Sequence, residues 1–262
     1  MQDTMFSAVF GALTTEHRMN FIANNLANVN TTGYKRDLVA FKDTMALFAH
    51  DEIREPLANV RSKPLFPEPK NVARPRVAVS HTDFSQGSMH FTGDPLDLAI
   101  SGNGFFKVTT PTGDFYTRSG HFIRSSDGSV VTPQGWALQG EGGPVVIPQG
   151  TRDVSVADDG QVYADGVVIN TVNLVTVDNL QNLEKMGRNL YKPRDNVAVT
   201  EANALAGGAR MSQGFIETAN VEVVSEMVNM IETNRQFEAY QKMIQTSDSV
   251  DKEAISRVGR RA

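Results

Sequence analysis

Few residues of this chain stand at the spacings that chemistry requires. Gly102-Asn103-Gly104-Phe105-Phe106-Lys107 begins like the glycine-rich turn that cradles a dinucleotide pyrophosphate. That turn needs a third glycine where Lys107 stands and a helix after it, but strand signals follow. The segment reads as a tight β turn. The Gly-Lys-Ser/Thr ending of a phosphate loop does not occur. Five histidines (His17, His50, His81, His90 and His121) lack metal-ligand spacing, although His81 and His90 could meet on adjacent strands. Asp158-Asp159 resembles a carboxylate pair, yet an Asp-Asp-Gly turn needs no chemistry. Asp94 and Asp97 flank Pro95-Leu96 and read as a turn with side-chain capping. Ser119 lacks the preceding glycine of a nucleophile elbow. Trp136, the single tryptophan, reads as core. The chain has no cysteine, which excludes disulfides, thiolate catalysis and zinc–sulfur sites. No catalytic residue, cofactor or metal is therefore expected.

The 262 residues suit one large domain or two small ones. Hydrophobic residues make up 40% and charged residues 21%, enough apolar surface for a packed core. The net charge of -5 argues against a nucleic-acid partner, which needs a clustered basic surface. Arg54, Arg61, Lys63, Lys70, Arg74 and Arg76 make one basic-leaning stretch, read as a solvated linker face. No apolar run is long enough for a transmembrane helix, so no membrane insertion is expected. Met1–Phe10 lacks the basic start of a secretory signal.

The first 30 residues read as one amphipathic helix. Met5, Ala8, Ala12, Thr15, Met19, Ile22, Leu26 and Val29 step alternately by three and four, the a/d seam of a heptad. Val9 and Leu13 widen the stripe. The helix should stop near Asn30-Thr31-Thr32-Gly33, where glycine can take the left-handed conformation. The last 50 residues repeat the pattern through Ile216, Asn220, Val223, Met227, Met230, Asn234, Phe237, Gln241 and Ile244. Val224, Val228 and Ile231 make a second apolar row. This helix should run from about Asn220 to Ser256, on the order of 50 Å.

Between the helices the signals change. Residues 55–76 hold five of the eleven prolines, an extended connector. From Val77 to Val199 short strands are expected, with hairpin turns at Ser126-Asp127-Gly128, Asp158-Asp159-Gly160 and Ala164-Asp165-Gly166. A short helix is expected at Asn179 to Met186. The fold class is α+β, with N- and C-terminal helices pairing as a coiled coil and an all-β domain inserted. The expected division is 1–34 and 211–262 for the helical domain, 35–84 for the connector and 85–210 for the β domain.

Two separated seams need partners, since each buried Val, Leu, Ile or Met contributes about 1.5–3 kcal/mol. Pairing the two helices within one molecule satisfies one row on each. The second row stays exposed and invites further subunits, and a contact that does not close builds an open filament. The residues expected at the assembly interface are Met19, Ile22, Asn24, Asn25, Leu26, Asn28, Val223, Met227, Met230, Ile231, Phe237 and Ile244. Asn24, Asn25 and Asn28 lower helix propensity. They read either as a capping-rich, fraying end or as amides that bond across a crowded helix junction.

Asn24-Asn25-Leu26-Ala27-Asn28-Val29-Asn30-Thr31-Thr32-Gly33-Tyr34 resembles the N-terminal signature of flagellar rod and hook proteins. Ser85-Gln86-Gly87, Thr92 to Ile100, Gly102 to Phe106 and Tyr116 to Gly120 resemble the central motif of that family. Gln213-Gly214-Phe215 through Asn220-Val221, and Glu226 to Ile231, resemble its C-terminal motif. Length and the inserted β domain are similar to the proximal-rod (FlgF) and distal-rod (FlgG) types. The ending from Gln245 to Arg260 looks more like the proximal type. The resemblance implies a structural subunit of the basal-body rod with no enzymatic turnover. It also implies passage through the flagellar export apparatus without a cleavable signal peptide, and assembly in the periplasm. The implied partners are other rod subunits, further copies of itself and hook-side axial proteins. A soluble oligomeric binding module is the alternative of another class, and a wall hydrolase would need an acid/base pair that the sequence does not supply.

Overall fold

The computed structural model describes residues 2–47, 71–172, 174–177, 179–194, 199–202 and 208–259. Much of the expected connector, including Pro56, Pro64, Pro67 and Pro69, lies outside these residues, as does His50. The chain divides into two compact units. One holds 1–24, 38–81 and 224–262; the other holds 25–37 and 82–223.

The first unit contains the long helices α1 (Gln2–Ala27) and α2 (Val223–Gly259), which continue at one end into the second unit, and a ribbon of β1 (Asp37–Leu47) paired with β2 (Asn71–Thr82). On α1 the buried residues are Ala8, Gly11, Thr15, Ile22 and Asn25. Ala8, Thr15 and Ile22 belong to the expected seam. Its other row lies one residue earlier than expected, at Gly11 and Asn25, and leaves Ala12, Met19 and Leu26 half-buried. The same holds on α2. Val223, Met230, Phe237 and Ile244 are half-buried, but Glu226, Thr233 and Tyr240 replace Met227, Asn234 and Gln241 in the other row. A heptad stripe is broad enough that apolarity alone leaves the second row undetermined by one position. Gly11 and Thr15 are small or polar and carry no hydropathic signal. Thr15 fits because its hydroxyl donates to the Gly11 and Ala12 carbonyls at 3.0 and 2.8 Å.

The second unit begins with β3 (Met89–Phe91), β4 (Leu98–Ser101), β5 (Phe105–Thr110), β6 (Gly113–Thr117), β7 (Ile123–Arg124) and β8 (Val130–Val131). Then come β9 (Ala137–Gly140), β10 (Gly143–Pro144), β11 (Val154–Val156), β12 (Gln161–Ala164), β13 (Val167–Thr171) and β14 (Leu174–Val177). The unit's strands end with β15 (Leu183–Gly187), β16 (Leu190–Pro193), β17 (Val199–Ala202), β18 (Arg210–Gln213) and β19 (Phe215–Glu217). The main sheet runs β15-β16-β6-β5-β9-β8-β7, with β10 on β9 and β14 joining β5 to β17. Strands β11, β12 and β13 form a separate sheet. β18 pairs with β4, and β19 with β3.

Both faces of the main sheet are covered around β5, so its apolar residues run consecutively. Phe106 and Val108 point into one core with Phe115, Phe122, Leu138, Leu174 and Leu190. Phe105 points the opposite way, into a core of Tyr116, Val175, Val177, Leu183 and Tyr191. The period-two alternation of strand side chains sends each neighbouring pair, Phe105/Phe106, Phe115/Tyr116 and Leu190/Tyr191, to opposite faces. Trp136 packs partly buried on the first core. The expected turns at Gly128, Gly160 and Gly166 all form, each glycine with positive φ.

The helix expected at Asn179 to Met186 is a correction. Only one 3-10 turn forms, Leu180–Asn182, capped by the Asn179 side chain accepting from the Gln181 N–H. Leu183 is extended and starts β15, which pairs with β16 through the two-residue turn Arg188-Asn189. Both turn residues have positive φ, 51° and 59°, the geometry that matches hairpin twist. Cross-strand pairing outweighs local helix preference here.

Phe106 is completely buried. Phe106→Ala should destabilise the β unit by about 3–5 kcal/mol, the range for deleting a buried aromatic ring. The measurement is the urea midpoint followed by tryptophan fluorescence of Trp136; an unchanged midpoint would remove Phe106 from the core.

Candidate functional site

Three sequence-distant segments meet in the second unit: the strap from Asn25 to Asp37 after α1, the loop at Asp83–Gly87, and Glu217–Asn220 leading to α2. Gly33 ends the turn after α1 with φ 66°. Its N–H donates to the Glu217 carbonyl at 2.7 Å. A side chain there would collide with the Arg118 and Ser119 backbone, so the close approach requires glycine. Asn189 Nδ2 donates to the Thr32 carbonyl at 2.8 Å, and Thr32 shares a hydroxyl contact with Ser119 at 2.9 Å.

The Glu217 carboxylate lies at the centre of this meeting point. Lys35 Nζ donates to its Oε1 at 2.6 Å, and the Gly87 N–H donates to the same oxygen at 2.8 Å. Arg118 Nη1 donates to Oε2 at 3.3 Å. Lys35 and Glu217 are each 1% exposed and Arg118 5%. One anion thus faces two cations. Backbone carbonyls compensate the second: Ser85 accepts from Lys35 at 2.7 Å, while Ile100 and Gly102 accept from Arg118 at 3.2 and 2.6 Å. The Arg118 guanidinium also stands 5.4 Å from the centre of the Phe105 ring. Burial pulls the Lys35 ammonium below its ordinary pKa, and Glu217 offsets only part of that. Burial likewise lowers Arg118 against the same partner.

A second ring of bonds surrounds the first. Asn220 Oδ1 accepts from the Arg36 N–H at 2.8 Å, and its Nδ2 donates to the Asp83 carbonyl at 2.8 Å. Arg36 pairs with Asp83 at 2.9 Å. Burial works to raise the Asp83 carboxyl, but bonds from Ser85 and Arg36 outweigh it and hold the group below its ordinary value. Lys185 donates to the Lys35 carbonyl and to Asp37, both at 2.9 Å, with its ammonium 4.2 Å from the centre of the Tyr34 ring.

Asn25 spends its amide inside the chain. Its Nδ2 donates to the Asp37 carbonyl, and its Oδ1 accepts from Tyr34 and from the Asp37 N–H, all between 3.0 and 3.1 Å. Of the other residues expected at an interface, Ile22 is buried. Met19, Leu26, Asn28, Val223, Met230, Phe237 and Ile244 are half-buried, and Asn24, Met227 and Ile231 are exposed. Sequence reasoning missed Lys35, Arg118 and Glu217. Their one signal was position, since each lies within or beside a block of the family motif. Asp97 is held by Thr92 Oγ1 and by His121 Nδ1, each at 2.6 Å, while Asp94 caps the Leu96 N–H as an ordinary turn residue. Among the described residues no cluster of ligands suits a metal, and no helix is long and apolar enough to cross a membrane. The arrangement offers no accessible nucleophile or base and serves to join segments.

Comparison with known proteins follows the same blocks. Residues 8–35 match the family described as flagella basal body rod protein. Residues 99–164 match the flagellar hook protein FlgE/F/G D1 domain, and 212–257 the flagellar basal body rod FlgEFG protein C-terminal. The basal-body rod protein FlgG of Buchnera aphidicola subsp. Acyrthosiphon pisum is 34% identical over 88% of this chain and 90% of its own. FlgF of Caulobacter vibrioides is 32% identical over 99% of both chains, and FlgG of Bacillus subtilis 30% over 98% and 99%.

Two outcomes test the cluster. Glu217→Gln leaves two buried cations without their anion and should cost about 3–5 kcal/mol in denaturant unfolding. Tyr191, packed behind the cluster, is driven upward from its ordinary pKa of 10.0, first by burial and then by the Asp37 charge. A raised pKa means stability that is present below about pH 10 and lost above it, because only the unfolded chain ionises there. Tyr191→Phe should therefore lose about 1.4 kcal/mol less than the parent between about pH 8 and about pH 11. Equal losses would show that Tyr191 titrates freely.

Proposed function

Because the chain belongs to the flagellar basal-body rod protein family, in which it is a structural axial subunit and not an enzyme, we propose that it self-assembles through its terminal helices into the shaft that carries torque from motor to hook. The observation that supports this reading is a row of exposed apolar residues at the start of α2. Val224, Met227, Val228 and Ile231 remain exposed although the opposite side of the helix is buried. Such a row at helical spacing is costly in water and suits contact with another helix. Met5, Phe6 and Leu13 leave a comparable exposed set on α1.

In this reading Met19, Ile22, Leu26, Val223, Met230, Phe237 and Ile244 belong to the inner seam of a coiled-coil pair. Asn24, Met227 and Ile231 face neighbouring subunits. Partners are further copies, other rod subunits and hook-side axial proteins, reached after passage through the export apparatus. The relatives divide between FlgF and FlgG at similar identity, so the ending from Gln245 to Arg260 carries the assignment to the proximal type.

Deleting the gene should abolish hook and filament while leaving the membrane ring, as seen by electron microscopy of basal bodies. Leu26→Asp or Ile231→Asp should also stop assembly with the β unit still folded by circular dichroism. Ile231 is 54% exposed, so its substitution spares the monomer. Normal rods from both variants would end the assembly reading.

A further inference from the structure

Resting on the reading that the terminal helices pair within one subunit, we propose that Gly11 and Tyr240 set the register of that pair, as an antiparallel ladder in which Gly11 and its small neighbours Ala8 and Thr15 face large side chains of α2. A Cβ at Gly11 would stand 2.5 Å from Tyr240 Cε1 and 2.6 Å from Cζ. The tyrosine ring therefore occupies the place that any side chain at position 11 would need. Gly11 is buried, and glycine inside a helix is less favourable than alanine, so the seat repays an intrinsic penalty.

From that point the ladder follows by stepping layer by layer in opposite directions, three residues on one helix for four on the other. Ala8 falls opposite Ile244, Thr15 opposite Phe237 and Ile22 opposite Met230. All six are buried or half-buried, whereas the adjoining Glu16, His17, Glu238 and Gln241 are exposed. Distance along each helix agrees. Gly11 lies about 24 Å before the end of α1, and Tyr240 about 26 Å after the start of α2. The segments that follow α1 and precede α2 are bonded, Asn220 N–H to Tyr34 carbonyl at 3.3 Å, as a hairpin closed at those ends requires. A slip of one heptad that brings Ala8 opposite Phe237 sets Gly11 against Thr233. Two small residues then face each other over a void, and the Tyr240 ring loses its seat. Apolar heptads tolerate slippage, and a large residue fitted to a glycine removes that freedom.

The chain has no cysteine, so introduced pairs report without background. Full-length Ala8→Cys/Ile244→Cys and Ala8→Cys/Phe237→Cys are oxidised in dilute solution and separated on non-reducing gels. A disulfide needs Cα atoms within about 7 Å, so the first pair should close within one chain at least about tenfold faster than the second. Adding Gly11→Leu should bring the two rates together. Equal or faster closure of the second pair would overturn the register while leaving helix pairing intact. A ratio unmoved by Gly11→Leu would show that Gly11 does not set it. Cross-links only between chains, or none in either variant, would overturn the intramolecular pairing on which the register rests.

Discussion

Two cations and one anion share a site from which water is excluded: Lys35, Arg118 and Glu217. Taking such charges out of water costs several kcal/mol each, and mutual attraction offsets this only where every remaining donor and acceptor is matched. The fold approaches that condition with backbone groups from four places, Ser85, Gly87, Ile100 and Gly102. Each must be in position for the cluster to exist. The constraint therefore reaches into β4, into the turn before β5 and into the strap after α1, and it holds together residues separated by up to 182 positions. Arg118 Nε is buried without a hydrogen-bond partner among the described residues.

The helices were legible from apolar spacing because that spacing repeats over many turns. Their ends fell within a few residues of expectation, since Gly33 marks one stop and the run from Val223 marks the other start. The second row of each seam was shifted by one residue for a single reason. The residues that occupy it, Gly11, Asn25, Glu226 and Thr233, are not apolar. Burial of a polar residue follows from hydrogen bonding, which hydropathy does not encode. Thr233 illustrates this, as its hydroxyl donates to the Asn229 carbonyl at 2.7 Å within the same helix.

Turns of the β unit were legible because Asp-Gly pairs state their backbone geometry locally. The stretch after Asn179 was not, because its strand is determined by pairing with β16 and by Leu183 entering the core beside Phe105 and Tyr191. The ionic cluster was the least legible feature. Lysine, arginine and glutamate are ordinary surface residues by composition, and their partners lie in blocks separated by most of the chain. Motif resemblance indicated which blocks matter and gave no physical reason for it. The structure supplies one for several of them: residues in or beside the blocks at 24–34, 85–87, 92–100, 116–120 and 213–221 meet around one carboxylate.

The cluster also stands where the chain leaves the second unit. That unit is bounded by Asn25, Asp37, Thr82 and Val223, so the chain crosses its boundary four times, entering at Asn25 and Thr82 and leaving after Asp37 and Val223. Asn25 and Asp37 are bonded to each other, Thr82 donates to Asp37 at 2.8 Å, and Asn220 ties the segment before Val223 to Asp83 and Arg36. All four crossings are thus anchored in one bonded network within the second unit. For a subunit proposed to carry torque, this has a mechanical consequence. In that proposal a pull on one of these segments would act on hydrogen bonds that tie it to the others, and the strap and the segment before α2 also carry Lys35 and Glu217 of the buried cluster. Apolar contacts would resist such a pull through area lost gradually. Buried charges resist it at the first displacement, since separating one partner leaves the other unpaired in a buried site. That difference is a physical reason for a buried ionic cluster, rather than a larger hydrophobic core, at this position.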